Sequence, residues 1–289
     1  MEISQVTVVG AGTMGSGIAQ VCATAGLAVT LIDIDAAALA RGRAGIEARL
    51  ARAVERGRLS AAAAQAARDR LTTAGALEAA AGQVVIEAIV ESLEAKLALF
   101  AQLDRHCPPE TILASNTSSL SITRLGAATG RPERVVGLHF FNPAPVMRLI
   151  EVVRGLATSD ATVAVATALA ERLGKTPLLV NDAPGFVANR VMMPVINEAA
   201  FALMEGVASR EAIDSIITLG FNHPLGPLAL ADLIGLDVCL AVMEALHHDL
   251  GDDKYRPCPL LRRMVAAGHL GRKTGRGFYT YEPAASDRQ

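Results

Sequence analysis

The sequence has few cysteines and no excess of basic residues. Its 289 residues include four cysteines, 27 Lys and Arg, and 29 Asp and Glu, so the formal net charge is −2. A nearly neutral chain has no global basic field to hold a nucleic acid or an anionic membrane, and any anionic ligand must be bound locally. The cysteines show no C-x-x-C spacing, and a chain of this length does not need disulfides, so a reducing, cytoplasmic location is expected.

Charged residues are also missing from positions 3–32. This stretch could suggest a membrane span, but its five glycines and several Thr, Ser and Gln residues argue against a transmembrane helix. An export signal is not expected either, because Glu2 leads almost directly into a strand-like run at Val6. Apolar residues make up 51% and charged residues 19%, which favours a globular chain, and a typical domain of roughly 150 residues suggests two domains.

The first part of the chain alternates short β-branched runs with Ala-rich segments. This pattern is typical of parallel strands joined by crossover helices. Strands are predicted at residues 5–9, 28–32, 84–88, 112–115, 135–140 and 149–153. Residues 36–67 are rich in Ala, Arg, Leu and Glu, which predicts an inserted pair of helices that turns near residues 56–60, before the third strand.

A domain boundary is predicted at residues 181–185, where Asn and Asp precede Pro184 at the start of a helix. Beyond it, helical spacing of apolar residues predicts helices at 186–204, 212–219, 228–250 and 260–267, with a kink at Pro194. The predicted fold class is α/β, with a Rossmann-type, doubly wound, mostly parallel sheet in residues 1–183 and an all-α domain in residues 184–289.

A G-x-G-x-x-G motif follows the first predicted strand and precedes a helix. Its members are Gly10, Ala11, Gly12, Thr13, Met14 and Gly15. Glycines there allow a tight turn and close approach of backbone to a pyrophosphate at the helix N-terminus. Asp33 ends the second strand 18 residues after Gly15, where its carboxylate can bind an adenosine ribose and repel a 2′-phosphate. The motif therefore predicts an NAD site, the alternative being a glycine-rich turn without a ligand.

Polar side chains follow two later strands, at the edge where open α/β sheets bind ligands. Residues 115–119 are Ser, Asn, Thr, Ser and Ser, and some of them are expected to cap a helix. His139 ends another strand, and Glu151 shares a face of the next one if the two strands are neighbours. A carboxylate on one imidazole nitrogen leaves the other to take a proton, although a purely structural His–Glu pair is equally compatible with the sequence.

Seven segments together resemble the 3-hydroxyacyl-CoA dehydrogenase family, and within it the short bacterial 3-hydroxybutyryl-CoA dehydrogenases. The resemblance covers nearly the whole chain. The matching segments are GAGTMGSGIAQ from Gly10, VIEAIVE from Val85, SNTSSLSIT from Ser115, GLHFFNPAPVMRLIEVV from Gly137, NDAPGFVANRV from Asn181, HPLGPLALADLIGLD from His223 and LGRKTGRGFYTY from Leu270.

The resemblance implies reversible hydride transfer between NAD and C3 of a CoA thioester. It implies that His139 is the general base, that Glu151 orients it, and that Ser118 and Asn189 bind the substrate oxygen. The cofactor-binding residues that motif and resemblance suggest are Gly10, Gly12, Thr13, Met14, Gly15, Asp33, Glu91, Lys96, Asn116 and Asn142. Because Asn189 belongs to the predicted helical domain, a complete site would need both domains. Bulky apolar helices in that domain, together with the resemblance, suggest a homodimer.

Three arginines, Arg49, Arg52 and Arg56, share one face of the inserted helix and are suggested as a binding site for CoA phosphates, the alternative being a solvated surface. Two other functions stay open. One is a 3-hydroxyadipyl-CoA dehydrogenase, in which Arg148 or Arg190 could bind the second carboxylate, and the other is a non-catalytic NAD-binding relative. No metal site is expected, because the spacing of His247, His248 and the aspartates after them fits no common site.

Overall fold

The structure is a computed structural model that describes residues 3–282. The chain divides into two compact units, Met1–Ala183 and Pro184–Gln289. In the described residues no helix is both long enough and apolar enough to cross a bilayer.

The first unit contains an eight-stranded sheet in the order β3-β2-β1-β4-β5-β6-β7-β8. Its strands are β1 Gln5–Val9, β2 Ala28–Ile32, β3 Leu71–Ala74, β4 Val84–Glu87, β5 Ile112–Ser115, β6 Val135–Phe140, β7 Leu149–Arg154 and β8 Thr176–Asn181. All neighbouring strands are parallel except β6 and β7. The order reverses between β1 and β4, so the predicted doubly wound, mostly parallel fold is confirmed.

Six α-helices lie in the described residues of this unit: α1 Thr13–Thr24, α2 Ala36–Glu55, α3 Ala61–Asp69, α4 Leu93–His106, α5 Ile122–Ala127 and α6 Asp160–Arg172. The central strands are buried on both faces, as the adjacent residues Val85 and Ile86 of β4 show, since their side chains point to opposite faces and neither has any exposed surface. The predicted inserted pair corresponds to α2 and α3, and the chain turns between them at residues 56–60.

Two strands were missing from the prediction, and their sequences explain why. The short β3 contains only one fully buried residue, Leu71, so it lacks an apolar run. The edge strand β8 has no fully buried residue and includes Pro177, which argues against a central strand. The third strand along the chain is therefore β3. The strand that was predicted to be third, at residues 84–88, is the fourth strand, β4.

The second unit contains five α-helices in its described residues: α7 Ala188–Met204, α8 Arg210–Gly220, α9 Pro227–Ile234, α10 Leu236–Leu250 and α11 Pro259–Ala266. The helix predicted for residues 228–250 is wrong in one respect, because Gly235 (φ 109°) separates α9 from α10. The predicted start at residue 186 is also wrong. Phe186 has a φ of 49°, and the helix begins at Ala188. Pro194 lies inside α7, and the kink stays a prediction.

Asp232 organises the end of the second unit. Its side chain is 1% exposed and accepts hydrogen bonds from the N–H groups of Phe278 (2.8 Å) and Tyr279 (2.9 Å) and from the Tyr281 hydroxyl (2.9 Å). A Cβ at Gly277 would collide with this carboxylate. The segments HPLGPLALADLIGLD and LGRKTGRGFYTY therefore meet around a buried carboxylate, which gives them a structural role.

Candidate active site

The glycine-rich turn after β1 has the shape needed to hold a pyrophosphate. Gly10 has a φ of 104°, and a Cβ there would lie 2.5 Å from the Ala88 carbonyl oxygen. A Cβ at Gly15 would collide with the Gly10 carbonyl oxygen, whereas a Cβ at Gly12 would project into open space. The turn is thus packed tightly on its inner side and open at Gly12, where α1 begins and its N–H groups can bind an anion.

Asp33 fixes this turn from the end of β2. Its Oδ2 accepts a 2.7 Å hydrogen bond from the Ala11 N–H, and its Oδ1 accepts a 2.9 Å bond from the Asp35 N–H. Each carboxylate oxygen can accept a second hydrogen bond, so the same group can also bind a ribose hydroxyl. The residues present therefore fit a dinucleotide whose adenosine half lies beside β2.

A buried lysine joins two carboxylates at the end of β4. The Lys96 ammonium lies 2.7 Å from Glu87 Oε1 and 3.0 Å from Glu91 Oε2. Glu87 and Lys96 are buried, whereas the Glu91 side chain is 39% exposed. Burial alone would raise the pKa of Glu91, but Lys96 and hydrogen bonds from Thr117 and Ser118 bring this pKa below its ordinary value. Lys96 is not the surface lysine that its place on a polar helix suggests, and direct contact between Lys96 and a cofactor stays a prediction.

The last residue of β5 and the polar loop that follows it donate hydrogen bonds to these carboxylates. Ser115 Oγ donates to Glu87 Oε2 (2.6 Å), and Thr117 Oγ1 donates to Glu91 Oε1 (2.5 Å). The Ser118 N–H donates to the same Glu91 oxygen at 2.9 Å. The position of Ser118 thus depends on the charged groups at the end of β4.

Helix capping is done by a residue outside the predicted cluster, because Ser121 is the N-cap of α5. Asn116 connects this loop to the next strand, since its Oδ1 accepts a 2.9 Å hydrogen bond from the Phe140 N–H. Asn142 is exposed, in a cis peptide bond to Pro143. Roles of Asn116 and Asn142 in cofactor binding stay predictions.

His139 and Glu151 lie directly opposite each other on the antiparallel strands β6 and β7. His139 Nδ1 is 2.7 Å from Glu151 Oε2, and both residues are buried. The Phe141 ring centroid lies 4.6 Å from that of His139. Because Nδ1 contacts the carboxylate, proton exchange with a ligand would use Nε2. The expected pairing of these two residues is present at the carboxyl edge of the parallel strands.

Residues 141–148 connect this pair, and sequence reasoning missed the lysine that holds them. Lys175 Nζ donates to the main-chain oxygens of Ala144 (2.6 Å) and Met147 (2.8 Å). Burial lowers the pKa of Lys175. The same loop packs against α1, because a Cβ at Gly17 would lie 3.3 Å from Ala144 and Pro145. In the sequence, Lys175 is marked only by its position directly after Gly174, and a glycine commonly ends a helix.

The three arginines, two on α2 and Arg56 at its C-cap, are not equivalent. Arg49 points toward α1 and donates to Gln20 Oε1 (2.6 Å) and Ser16 Oγ (3.2 Å), whereas Arg52 and Arg56 are exposed. Burial, followed by repulsion from Arg52, lowers the pKa of Arg49. A cavity of about 290 Å³ is lined by Gly12, Thr13 and Arg49, among others. All three arginines stay predicted CoA ligands.

Asn189 lies in the second unit, in the first turn of α7, where its N–H donates to the Gly185 carbonyl oxygen at 3.1 Å. Its role in substrate binding stays a prediction. Within residues 3–282, no group of three or more His, Cys, Asp or Glu side chains is arranged to hold a metal ion.

Comparison with known proteins identifies the family. Residues 5–183 match the family model described as 3-hydroxyacyl-CoA dehydrogenase, NAD binding domain, and residues 185–281 match that of the C-terminal domain. A probable 3-hydroxybutyryl-CoA dehydrogenase of Bacillus subtilis is 56% identical over 287 residues, which cover 99% of this chain and 100% of the relative. A 3-hydroxyadipyl-CoA dehydrogenase of Escherichia coli is 46% identical over 97% of this chain and 60% of the relative.

A solved structure agrees with these sequence matches. The crystal structure of (S)-3-hydroxybutyryl-CoA dehydrogenase from Ralstonia eutropha has a TM-score of 0.94 at 50% identity, and the match covers 98% of this chain and 100% of that one. The match to an NAD-binding domain model agrees with the glycine-rich turn after β1. The chain therefore belongs to the 3-hydroxyacyl-CoA dehydrogenase family of NAD-dependent oxidoreductases.

Proposed function

We propose that the chain interconverts (S)-3-hydroxybutyryl-CoA and acetoacetyl-CoA with NAD. The observation that carries this proposal is the 2.7 Å contact between His139 Nδ1 and Glu151 Oε2, in a sheet whose glycine-rich turn fits a dinucleotide. The relatives from Bacillus subtilis and Ralstonia eutropha are named for 3-hydroxybutyryl-CoA. NAD, when bound, supplies a hydride acceptor for the hydrogen that leaves C3.

His139 takes the proton of the 3-hydroxyl group on Nε2 while the C3 hydrogen leaves with its electron pair. The C–H and O–H bonds break, the C3–O bond becomes a carbonyl, and His139 becomes an imidazolium. Glu151 stabilises that imidazolium through Nδ1 and keeps the ring oriented. Ser118 and Asn189 donate hydrogen bonds to the substrate oxygen, and in the reverse direction His139 returns the proton.

The CoA part is proposed to lie along the end of α2, where Arg52 and the C-cap residue Arg56 are exposed. Arg49 contributes to the same patch from the side facing α1, where its guanidinium contacts Ser16 and Gln20. Guanidinium groups suit phosphates because they donate several hydrogen bonds from one plane.

A second substrate is supported by one specific observation. Arg148 is exposed at the end of the loop that joins His139 and Glu151, where a guanidinium could bind the distal carboxylate of 3-hydroxyadipyl-CoA. The Escherichia coli relative is named for that substrate. The two hypotheses differ in acyl preference and not in chemistry.

The test is NADH consumption by the purified protein with acetoacetyl-CoA, a longer 3-oxoacyl-CoA and 3-oxoadipyl-CoA. We expect acetoacetyl-CoA to give the highest kcat/KM, and His139→Gln to lose activity by about 10³-fold or more while still binding NADH. Glu151→Gln should lower kcat with little change in KM, since it acts on the base. Fastest turnover of the dicarboxylic substrate, abolished by Arg148→Ala, would favour the second hypothesis. Folded protein that binds NADH without turnover would contradict both.

A homodimer through the second unit is also proposed. Ile216, Leu219 and Phe221 on and beside α8 are 59%, 85% and 70% exposed, and a contiguous apolar surface favours association. Light scattering should give twice the chain mass for the wild type and a lower mass for Leu219→Asp. Leu156→Asp, at an equally exposed leucine of the first unit, is the matched control. A monomeric wild type would contradict the proposal.

A further inference from the structure

We propose that Glu87, Lys96 and Glu91, hereafter the charged cluster, make bound NAD⁺ more stable relative to bound NADH. The cluster contains two carboxylates and one ammonium, so its net charge is −1. The nicotinamide ring is cationic in NAD⁺ and neutral in NADH, and a negative cluster beside it attracts only the oxidised form. Glu87 then serves as a positioning and electrostatic residue, a role that the hydride-transfer chemistry does not assign to it.

The cluster lies on the nicotinamide side of the crevice. The strand order reverses between β1 and β4, which is where a dinucleotide crosses the sheet. Asp33 at the end of β2 marks the adenosine side, and the turn after β1 takes the pyrophosphate. The other nucleoside must therefore lie over the ends of β4 and β5. Glu87 is the last residue of β4, and Glu91 follows it by four positions.

The contacts indicate that both carboxylates are ionised. Glu87 accepts hydrogen bonds from Lys96 Nζ (2.7 Å), Ser115 Oγ (2.6 Å) and the Ile89 N–H (2.7 Å), which is the pattern of an ionised carboxylate. Glu91 contacts Lys96 and accepts from Thr117 Oγ1 and the Ser118 N–H. One ammonium therefore faces two carboxylates.

Neutralisation of Lys96 needs only one of these carboxylates. The second leaves the cluster with an excess negative charge, and burial of Glu87 and Lys96 reduces its screening by solvent and salt. The polar contacts also fix the position of this charge. Glu87 contacts Lys96, Lys96 contacts Glu91, and Glu91 accepts a hydrogen bond from the Ser118 N–H. Glu91 is the partly exposed member of the cluster and follows the end of β4, on the side proposed for the nicotinamide.

The inference rests on the NAD site of the proposed function and not on its acyl substrate. Its test is therefore made without substrate. NADH binding is followed by its fluorescence, and NAD⁺ binding by competition with NADH, for the wild type, Glu91→Gln, Glu87→Gln and Lys96→Met. Glu94→Gln is the matched control, because Glu94 belongs to the first turn of α4 and lies outside the cluster.

Removal of one carboxylate makes the cluster neutral, so Glu91→Gln and Glu87→Gln should each raise the ratio Kd(NAD⁺)/Kd(NADH) by about fivefold to tenfold. Lys96→Met removes the ammonium that opposes the carboxylates and should lower the same ratio. Glu94→Gln should leave it unchanged. Removing the ammonium and removing a carboxylate should change this ratio in opposite directions if the role is electrostatic. Loss of structure would instead weaken the binding of NAD⁺ and NADH alike.

Equal weakening of NAD⁺ and NADH by Glu91→Gln would overturn the inference. If Glu87→Gln and Lys96→Met prevent folding, Glu91→Gln alone tests the inference. The Glu91 side chain is partly exposed, so Gln can replace it with less loss of packing. A wild type that binds neither nucleotide would overturn the NAD site itself. A wild type that binds both but has no activity on the acyl-CoA substrates would overturn the proposed substrate alone.

Discussion

Lys175 Nζ donates a 2.6 Å hydrogen bond to the main-chain oxygen of Ala144, in the loop between His139 and Glu151. A second bond, of 2.8 Å, goes to the Met147 oxygen. One partly buried ammonium thus holds two carbonyl groups of the segment that joins the proposed base to its carboxylate. Hydrogen bonds from a charged donor are stronger than neutral ones.

Lys175→Met should destabilise the protein by about 2 kcal/mol, because two carbonyl groups lose a charged donor. Loss of these bonds should also lower kcat several-fold by loosening the loop. Urea unfolding and steady-state kinetics measure the two effects. Lys254→Met, at an exposed lysine of the second unit, is the control. Unchanged stability and kcat would show that the loop keeps its position without Lys175.

Asp33→Ala should weaken NAD binding by about tenfold and reduce the preference for NAD over NADP. The variant loses the proposed ribose acceptor and the charge proposed to repel a 2′-phosphate, together with the bond that fixes the Ala11 N–H. Binding of both cofactors is measured by fluorescence and competition. Asp35→Ala removes the N-cap of α2 and should leave the preference intact. An unchanged ratio for Asp33→Ala would show that Asp33 does not recognise the ribose.

Reversing the charge of Arg52 and Arg56 together should raise KM for acetoacetyl-CoA by about tenfold or more, with kcat little changed. A truncated thioester that lacks the nucleotide should not be affected, because it has no phosphates to lose. Arg105→Glu, at an exposed arginine of α4, is the control. Equal effects on the full and truncated substrates would contradict the CoA patch.

The four cysteines should not react with an aromatic disulfide reagent at pH 8 in the folded protein. All four are buried free thiols, and burial raises the pKa of Cys22 and of Cys239 to about 12. A thiol of that pKa is about one part in ten thousand ionised at pH 8, and the thiolate is the reactive form. Reaction in denaturant should release four equivalents. Rapid reaction of any thiol without denaturant would contradict the burial.

Stability of the second unit should fall as the pH rises above about 10, the ordinary pKa of tyrosine. Burial raises the pKa of Tyr279 and Tyr281, and hydrogen bonds to Asp214 and Asp232 raise each pKa further. Groups with a raised folded pKa stabilise below the unfolded value and lose that contribution as pH rises through the folded one. Urea unfolding at pH 8 and above pH 10 measures the change.

A Tyr279→Phe, Tyr281→Phe double variant is the control for this titration. It should be less stable at pH 8 but should lose less stability between pH 8 and alkaline pH than the wild type. Parallel losses in the two proteins would assign the alkaline effect to Lys and Arg instead.

Prediction from sequence succeeded where apolar runs or glycine spacing determine the structure. The six buried strands and the turn at residues 10–15 have such patterns, and the His139–Glu151 pairing follows from strand period. Prediction failed where a strand is too short or too exposed to show a run of apolar residues, as at β3 and β8. The interruption at Gly235 was missed because the apolar periodicity of residues 228–250 continues on both sides of it.

Much of the site beyond this pair could not be predicted, because it depends on contacts between distant segments. Lys96 resembles a surface lysine on a polar helix, and only the fold shows that it is buried against Glu87. Lys175 follows a glycine at a helix end, and its contacts with Ala144 and Met147 depend on the path of a loop that contains two prolines. Local patterns carry no information about such long-range partners.

The His139–Glu151 contact spans only 12 positions along the chain and closes within one antiparallel pair of strands. The glycine-rich turn and Asp33, in contrast, depend on parallel strands whose partners are joined by helical crossovers. Contacts of short sequence separation lose less chain entropy when they form. The His139–Glu151 pair therefore needs only one local pair of strands to form, whereas the cofactor crevice needs several crossovers to be in place.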